Sequence, residues 1–379
     1  MTPLTLPQPS LYTCPTMVTF HPTLSSADYC SDAVFDAERT RLFHHGWMLI
    51  DRADSLQPGN RKAIDVVGES VLLTRTLDGH LFAHANVCRH RGARLCDEQS
   101  SSTQGSIMCP YHAWTYALDG SLIATPHLDN EQVDKSQLSL WSIALREWQG
   151  FVFVSLNANP PDFDEWMASD ASELLALQRF QFGDLVIGRT THSTAFANWK
   201  ILVENYQECL HCTRVHPELV QIIPSYRSGW VLDHDRPDGS VTLRDQGTSF
   251  TADGTSALPI LPHMIDDDAH CYRGSTVYPN AFVDVTGTCV IVTIMFPNGP
   301  SKTTIVTHYL FAASTVEDDN FDPSEVVDFS EMVAGQDIRV CEIVQRGVAS
   351  KYFTNGILTP KDDLVINYTQ HYLDAMQRP

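Results

Sequence analysis

Cys88-Arg89-His90 and Cys109-Pro110-Tyr111-His112 decide how this chain is read, and eighteen residues separate the two stretches. Each pairs one thiol with one imidazole. Together they form a C-x-H…C-x-x-H pattern, which suits a [2Fe–2S] cluster with cysteines on one iron and histidines on the other. Two neutral imidazoles in place of thiolates raise the reduction potential far above that of an all-cysteine cluster. The expected chemistry is therefore one-electron transfer. Gly92 lets the first ligand loop turn tightly without a Cβ, and Pro110 stiffens the second just before its histidine.

A Cys₂His₂ set also binds Zn²⁺ tetrahedrally, and that is the rival reading. Zinc modules pair like with like, as C-x₂₋₄-C followed by H-x₃₋₅-H. Here both pairs are mixed. The residues after Cys88 are Arg-His-Arg-Gly-Ala-Arg, and those after Cys109 are Pro-Tyr-His-Ala-Trp-Thr-Tyr. Cys88, His90, Cys109 and His112 are accordingly assigned to a Rieske [2Fe–2S] centre.

Outward from these loops the texture is that of a small β-module over residues 45–157. Val71-Leu72-Leu73 and Leu81-Phe82 flank Asp78-Gly79, a hairpin signal that Asp119-Gly120 repeats. Phe151 to Val154 reads as a buried strand, and Asn157 to Asp162 as a linker. Before the module, residues 31–47 predict a helix capped by Ser31 and Asp32. Residues 1–44 are expected to pack as a helical segment on a catalytic domain spanning 158–379. Within that domain the spacing predicts helices over 164–177, 198–215 and 324–348, and a strand over 186–196. Long loops are expected over 225–270. Val290, Val292, Ile294 and Phe296 predict a one-faced strand that returns after Pro297-Asn298-Gly299-Pro300. The fold class is α+β.

The chain of 379 residues has length for two cores. No apolar run approaches membrane-spanning length, and the start, dotted with Pro3, Pro7, Pro9, Pro15 and Pro22, does not read as a signal peptide. A cytoplasmic protein is expected, with no membrane partner. A net charge of −21 argues against nucleic acid and suits a cationic substrate or a basic partner, although solubility alone also explains it. Of the ten cysteines, Cys14, Cys30, Cys96, Cys271 and Cys289 read as small buried or half-buried thiols.

A second metal site is written in Asn198-Trp-Lys-Ile-Leu-Val-Glu-Asn-Tyr-Gln-Glu-Cys-Leu-His-Cys-Thr-Arg-Val-His-Pro217. On one ideal helix His211 and His216 point about 140° apart. Pro217 disfavours helical geometry at His216, so that imidazole can swing in from beyond the last turn. A 2-His-1-carboxylate triad needs one acid more and leaves positions open for O₂, which suits non-haem Fe(II). Asp328, Glu331, Asp337 and Glu342 compete for the role. Val333, Asp337, Val340, Val344 and Val348 share a helical stripe, whereas Glu342 falls with Arg339 and Arg346 on a polar face. An inward carboxylate needs a cation, and Asp337 is selected. Glu208, one turn before His211, is either a solvent-facing acid or the partner of the His211 ring N–H. Cys209 and Cys212 read as packing residues, with a redox or zinc pair as the alternative.

With both sites in view, the chain resembles the oxygenase component of Rieske non-haem iron oxygenases along nearly its whole length. The motifs that carry the resemblance are C-x-H-R-G, C-x-x-H-x-W, N-W-K…E-N-Y-x-E-x-x-H-x₄-H-P and D-I…V-Q-R-G. The resemblance implies an N-terminal Rieske β-module and a C-terminal helix-grip (START-like) antiparallel sheet with helices. It implies cluster ligands Cys88, His90, Cys109 and His112, and Fe(II) ligands His211, His216 and Asp337. It implies a ring, most simply a homotrimer, in which Glu208 bridges His211 to His112 of the adjacent chain. Electrons are implied to come from a separate NAD(P)H-dependent reductase with flavin and a ferredoxin centre. Oxygen from O₂ then enters a C–H bond or adds across an arene.

Glu208 stands where many ring-hydroxylating members carry Asp. The stretch looks more like members acting on glycine betaine, carnitine or stachydrine, and implies hydroxylation or N-demethylation of a quaternary ammonium compound. Aromatic faces would suit such a cation. Trp230, Tyr272, Tyr278, Phe282 and Phe296 lie in the right half of the chain and serve equally well as core. Gln336 departs from the acid that often precedes the third ligand. The alternatives are an aromatic-ring hydroxylase, a non-catalytic Rieske electron carrier and a zinc-stabilised binding protein.

Overall fold

Turn chemistry and alternation organise the first half as the sequence predicts. The computed structural model describes residues 20–97, 105–126, 128, 132 and 134–377. The proline-dotted start and Cys14 lie outside them, apart from Pro22. One antiparallel sheet runs in the spatial order Met48–Arg52, Phe151–Ser155, Ser142–Trp148, Leu81–Ala85, Glu69–Arg75, Arg61–Val66. A separate three-stranded sheet, Ser106–Met108, Thr115–Ala117 and Leu122–Ala124, stands at its end. Leu72, Cys88, Ile107, Cys109, Trp114 and Tyr116 share a small apolar core between the two.

The second sheet follows the order Leu185–Ala195, Thr303–Ala312, Val290–Pro297, Ala281–Val285, Cys271–Val277, Val241–Thr242. Strand Val290–Pro297 is buried on both faces, with only Thr293 partly open, rather than on one. The reason is that both faces of the sheet are used. Phe296, Val306 and His308 face the cluster-side sheet together with Ile50 and Lys62. Ile291, Met295 and Tyr309 face the other way, into a cavity under the helix Ser324–Val348.

A buried polar tie joins the two sheets. Thr190 Oγ1 lies 2.9 Å from His308 Nδ1, and His308 Nε2 lies 3.2 Å from Asp51 Oδ1. Lys62 pairs with the same carboxylate. Burial works to raise Asp51, but His308 and Lys62 hold it down at about 2. Asn280 adds a 2.8 Å bond to the Leu49 carbonyl.

The helices keep or break the expected bounds for local reasons. Asp32–Glu38 is capped by the Ser31 hydroxyl, which accepts the Val34 N–H; it then widens to a π-turn over Arg39–Phe43 instead of continuing to 47. The 164–177 helix is broken at Ala171, between Phe163–Asp170 and Ser172–Ala176. Ser324–Val348 has the expected length, but its inner face differs. Cys341, Gln345 and Val348 are buried beyond Asp337, while Val344 is 41% exposed. Glu342 accepts the Phe196 backbone N–H, and no ion pair to Arg339 or Arg346 forms among the described residues. The sequence reading missed the helix Asp363–Met376, although Val365, Tyr368, Tyr372 and Ala375 recur at helical spacing and are buried. No described helix is long and apolar enough to cross a membrane.

Candidate functional site

Two small loops at the end of the first sheet bring the four sequence-assigned cluster residues together. In the first, Val87 pairs with Arg94, Cys88 N–H donates to Ala93 O at 2.8 Å, and Gly92 N–H donates to Cys88 O at 3.0 Å. Gly92 sits at φ 71°, in the left-handed region that favours glycine. In the second, Cys109 N–H donates to Trp114 O at 2.8 Å and Ala113 N–H to Cys109 O at 3.0 Å. The rings of His90 and His112 are 4.6 Å apart, and Trp114 stacks on His90 at 4.8 Å. Both thiols are buried, and His90 is exposed.

The donor set fits a cluster on a direct observation. His112 Nδ1 is buried and has no hydrogen-bond partner. An orphaned polar atom of this kind is rare in a folded chain, and metal ligation satisfies it. Tyr116, which the sequence reading did not single out, supports the site. Its hydroxyl accepts the Arg89 N–H at 3.1 Å and lies 3.3 Å from Cys88 Sγ, so it stands ready to donate to that sulfur as a thiolate. Hydrogen bonds to cluster sulfurs are one of the levers on reduction potential. Arg89 pins the loop from outside, over the Trp141 ring and on the Ser139 carbonyl.

The second group lies beneath the long helix. Asn198 caps the helix Trp199–Tyr206 by accepting the Lys200 N–H. The helix ends at Gln207 rather than running to 215. His211 then opens the one-turn helix Cys212–Val215, and His216 leaves helical geometry at φ −122°, ψ 61° ahead of Pro217. Cys209 and Cys212 are buried, as packing residues would be, but they are also joined by a disulfide. The break in the helix brings their Cα atoms within 5.0 Å, a pairing that the sequence reading held only as its alternative, a redox pair.

His216 Nε2 lies 2.8 Å and His211 Nε2 3.3 Å from Asp337 Oδ1. Among the described residues these three form the one group of His, Cys, Asp and Glu donors close enough to share an ion. The opposite ring nitrogens are held in place. Glu208 Oε1 lies 2.6 Å from His211 Nδ1, and Gln336 Oε1 2.7 Å from His216 Nδ1. Each ring therefore presents Nε2 to the common point, the arrangement that orients a metal-binding imidazole. Gln336, a departure in the sequence pattern, orients His216. Of the rival acids, Asp328 is exposed and Glu331 accepts from Thr191 and Tyr309.

Without an ion this cluster holds a proton. Burial pulls His211 down, but Asp337 and Glu208 outweigh it and raise the imidazole to about 9. Asp337 is lowered by the two imidazoles in spite of its burial. A metal needs neutral imidazole, so below about pH 9 binding must expel one proton. Anaerobic Fe(II) titration of metal-free protein is therefore expected to show affinity rising about tenfold per pH unit from 6 to 8. A flat profile would show that the three residues do not share a proton.

The triad opens into a cavity of about 200 Å³. Tyr206, Tyr226, Phe250, Tyr272 and Phe282 form an aromatic wall of it. Tyr206 and Phe282 stack at 3.9 Å, and both the Tyr206 and Tyr272 hydroxyls donate to Asp284 Oδ1, at 2.6 and 2.7 Å. Gly274 is required here, because a Cβ would stand 2.6 Å from both hydroxyls. Of the aromatics noted in the sequence, Tyr272 and Phe282 reach this wall. Phe296 faces the other side of the sheet, and Tyr278 packs on Trp199 and Tyr368. Trp230 lies against His234.

Both groups of residues fall inside regions that match known domains. Residues 46–145 match the Rieske [2Fe-2S] domain, and residues 182–378 match the catalytic domain of the ring hydroxylating alpha subunit. The glycine betaine monooxygenase oxygenase subunit of Chromohalobacter salexigens is 27% identical over 92% of this chain and 84% of its own length. The carnitine monooxygenase oxygenase subunit of Acinetobacter pittii is 28% identical over 85% of this chain and 84% of its own. Among solved structures, a quaternary ammonium Rieske monooxygenase superposes with a TM-score of 0.77 at 24% identity, covering 95% of this chain and 96% of that one. Naphthalene 1,2-dioxygenase from Rhodococcus sp. gives 0.71 at 18%, covering 94% and 95%. The two structural likenesses speak to the fold. The chain belongs to the ring-hydroxylating alpha-subunit family, as a Rieske non-haem iron oxygenase with a [2Fe–2S] domain ahead of a mononuclear-iron catalytic domain.

Proposed function

We propose that this oxygenase hydroxylates a C–H bond next to the nitrogen of a quaternary ammonium compound, so that a methyl group leaves as formaldehyde or a carbon chain as an aldehyde. The observation that carries the reading is the aromatic wall backed by Asp284, which shares one cavity with His211, His216 and Asp337. Aromatic faces attract a desolvated quaternary cation, by about 2 kcal/mol or more where water is excluded. The named relatives act on compounds of this class.

In this reading Cys88, His90, Cys109 and His112 hold the cluster, and His211, His216 and Asp337 hold Fe(II). When bound, the two centres supply electrons and O₂ activation. The protein's part is positioning and dryness. Glu208 and Gln336 fix the imidazoles. Tyr206, Tyr272 and Phe282 hold the cation head, and Leu219, Ile291 and Ile305 exclude water from the same cavity. A cytoplasmic setting and an NAD(P)H-dependent flavin/ferredoxin reductase complete the reading. The domains divide at 44/45 and 157/158.

The same reading makes the active unit a homotrimer in which Glu208 also meets His112 of the neighbouring chain. Exposed apolar side chains flank both residues: Leu210 beside Glu208, and Met108 and Tyr111 beside His112. Such exposure suits a covered surface. Glu208→Gln is expected to keep both metals and lower turnover by about 10- to 100-fold. Single-turnover spectra check this, since the reduced cluster should reoxidise slowly in the variant alone.

Oxygen uptake with a Rieske reductase across a substrate panel tests the substrate class. Trimethylammonium compounds should stimulate uptake and release one aldehyde per O₂. Stimulation by naphthalene or aromatic acids alone would replace the reading with ring hydroxylation.

A further inference from the structure

The charge lining the cavity narrows the substrate class, given that the site takes a quaternary ammonium compound. Four carboxylates line it: Glu208, Asp337, Asp284 and Glu331. Among the described residues no lysine or arginine does. The first two acids stand at the triad, where they match the two charges of a bound ferrous ion. The balance elsewhere is then set by Asp284 and Glu331, the other two acids of the lining.

Neither of those acids is neutralised by protein. Asp284 Oδ1 accepts from Tyr206 and Tyr272, and Glu331 Oε1 accepts from Thr191 and Tyr309, all neutral donors. The second oxygen of each carboxylate takes no hydrogen bond among the described residues. Burial pushes Asp284 up to about 6 against its two tyrosine donors, as expected for an acid with no cation nearby. The guanidinium groups behind the wall are already engaged. Arg273 bonds Asp238 and Asp268, and Arg179 bonds Asp268 through both terminal nitrogens.

We infer that the cavity selects a cationic amine that carries no carboxylate, such as an amino alcohol, an ester or an alkylammonium ion, over a zwitterionic betaine. A zwitterion fills the aromatic wall equally well with its trimethylammonium head. Its carboxylate then enters a cavity whose free charges are negative and whose walls offer no basic side chain. The hydroxyls of Tyr206 and Tyr272 already donate to Asp284, and that of Tyr309 to Glu331. A buried carboxylate without a cation is strongly disfavoured. An uncharged tail meets no such penalty.

Equilibrium dialysis against the anaerobic holoenzyme tests the inference directly. The probes are choline, glycine betaine, L-carnitine, L-carnitine methyl ester and 3,3-dimethylbutan-1-ol, the uncharged isostere of choline. Choline and the ester are expected to bind about 100-fold more tightly than the two free acids. In Asp284→Asn, whose side chain keeps its size, choline should weaken by about tenfold and the gap to glycine betaine should narrow. Betaine and carnitine binding as tightly as choline and the ester would overturn the charge argument and leave the quaternary-ammonium reading standing. The uncharged isostere binding as well as choline would overturn that reading itself. The comparison of ligands on the unaltered protein does not depend on how the variant folds.

Discussion

Asp337→Ala is expected to lower the iron content from about three to about two atoms per chain and to cut turnover at least about a thousandfold, while the visible spectrum of the cluster persists. A thousandfold loss corresponds to about 4 kcal/mol of transition-state stabilisation. The size follows from geometry. Asp337 Oδ1 is the one point that both imidazole Nε2 atoms share, at 2.8 and 3.3 Å. Without it, the metal has no carboxylate ligand, and only Glu208, behind the His211 ring, offsets its charge. Glu208 and Gln336 would still orient the rings, but a two-nitrogen site binds Fe(II) weakly in competition with water.

The control is Glu342→Ala on the same helix. Glu342 accepts one backbone N–H, from Phe196, so its loss should cost about 1 kcal/mol of stability and leave the iron in place. Iron quantitation with cluster absorbance on both variants checks the pair. If Asp337→Ala kept three irons, the third ligand would have to be sought elsewhere. The cavity's other carboxylate on this helix is Glu331.

The two groups of residues that the structure brings together were legible because candidate ligands stand at short range in the sequence. Cys88 with His90, Cys109 with His112, and His211 with His216 are each close in sequence, and loop signals such as Gly92 and Pro217 sit where the chain must turn. Asp337 comes from a distant helix; its place on a predicted inward stripe pointed to it, and the structure brings its carboxylate to both imidazoles. The stripe was nonetheless misread beyond it. Cys341 and Gln345 are buried where Val340 and Val344 were expected to lead, because Gln345 spends its side chain capping the Asn198 N–H at 2.8 Å. Local periodicity counts apolar residues and has no means of seeing a buried amide with a partner 147 positions away.

The aromatic wall was legible only in part, through Tyr272 and Phe282, for a related reason. Tyr206, Tyr226, Tyr272, Phe282, Asp284 and Glu331 come from different helices, strands and turns, and nothing local distinguishes a cavity tyrosine from a core one. The break at Gln207 was also hidden. The residues from Asn198 to Val215 carry no proline or glycine to interrupt a helix, and the Cys209–Cys212 bond forms only once the chain has turned.

Lys200→Met is expected to destabilise the protein by about 3–5 kcal/mol without touching either metal centre. Lys200 and Glu38 are both fully buried, 2.5 Å apart between Nζ and Oε1. The carboxylate also accepts from Tyr372 at 2.8 Å and Trp199 at 3.0 Å. The ammonium lies 5.1, 5.2 and 5.9 Å from the ring centres of Trp199, Tyr372 and Tyr29. This one pair thus fastens the early helix Asp32–Glu38, the helix Trp199–Tyr206 and the last helix Asp363–Met376. Burial works to lower Lys200, and Glu38 opposes it. Methionine fills the volume but leaves Glu38 as a buried anion with neutral donors only. The double variant Glu38→Gln with Lys200→Met removes the stranded charge and should recover most of the loss, since a buried ion pair replaced by groups of similar size is often close to neutral. Hydrogen exchange along Ser26–Cys30 and Asp32–Glu38 reads the effect where it arises, independently of whether the whole chain unfolds in one step. Equal protection in Lys200→Met and the unaltered protein would mean that Trp199, Tyr29 and Tyr372 hold the segment by packing alone.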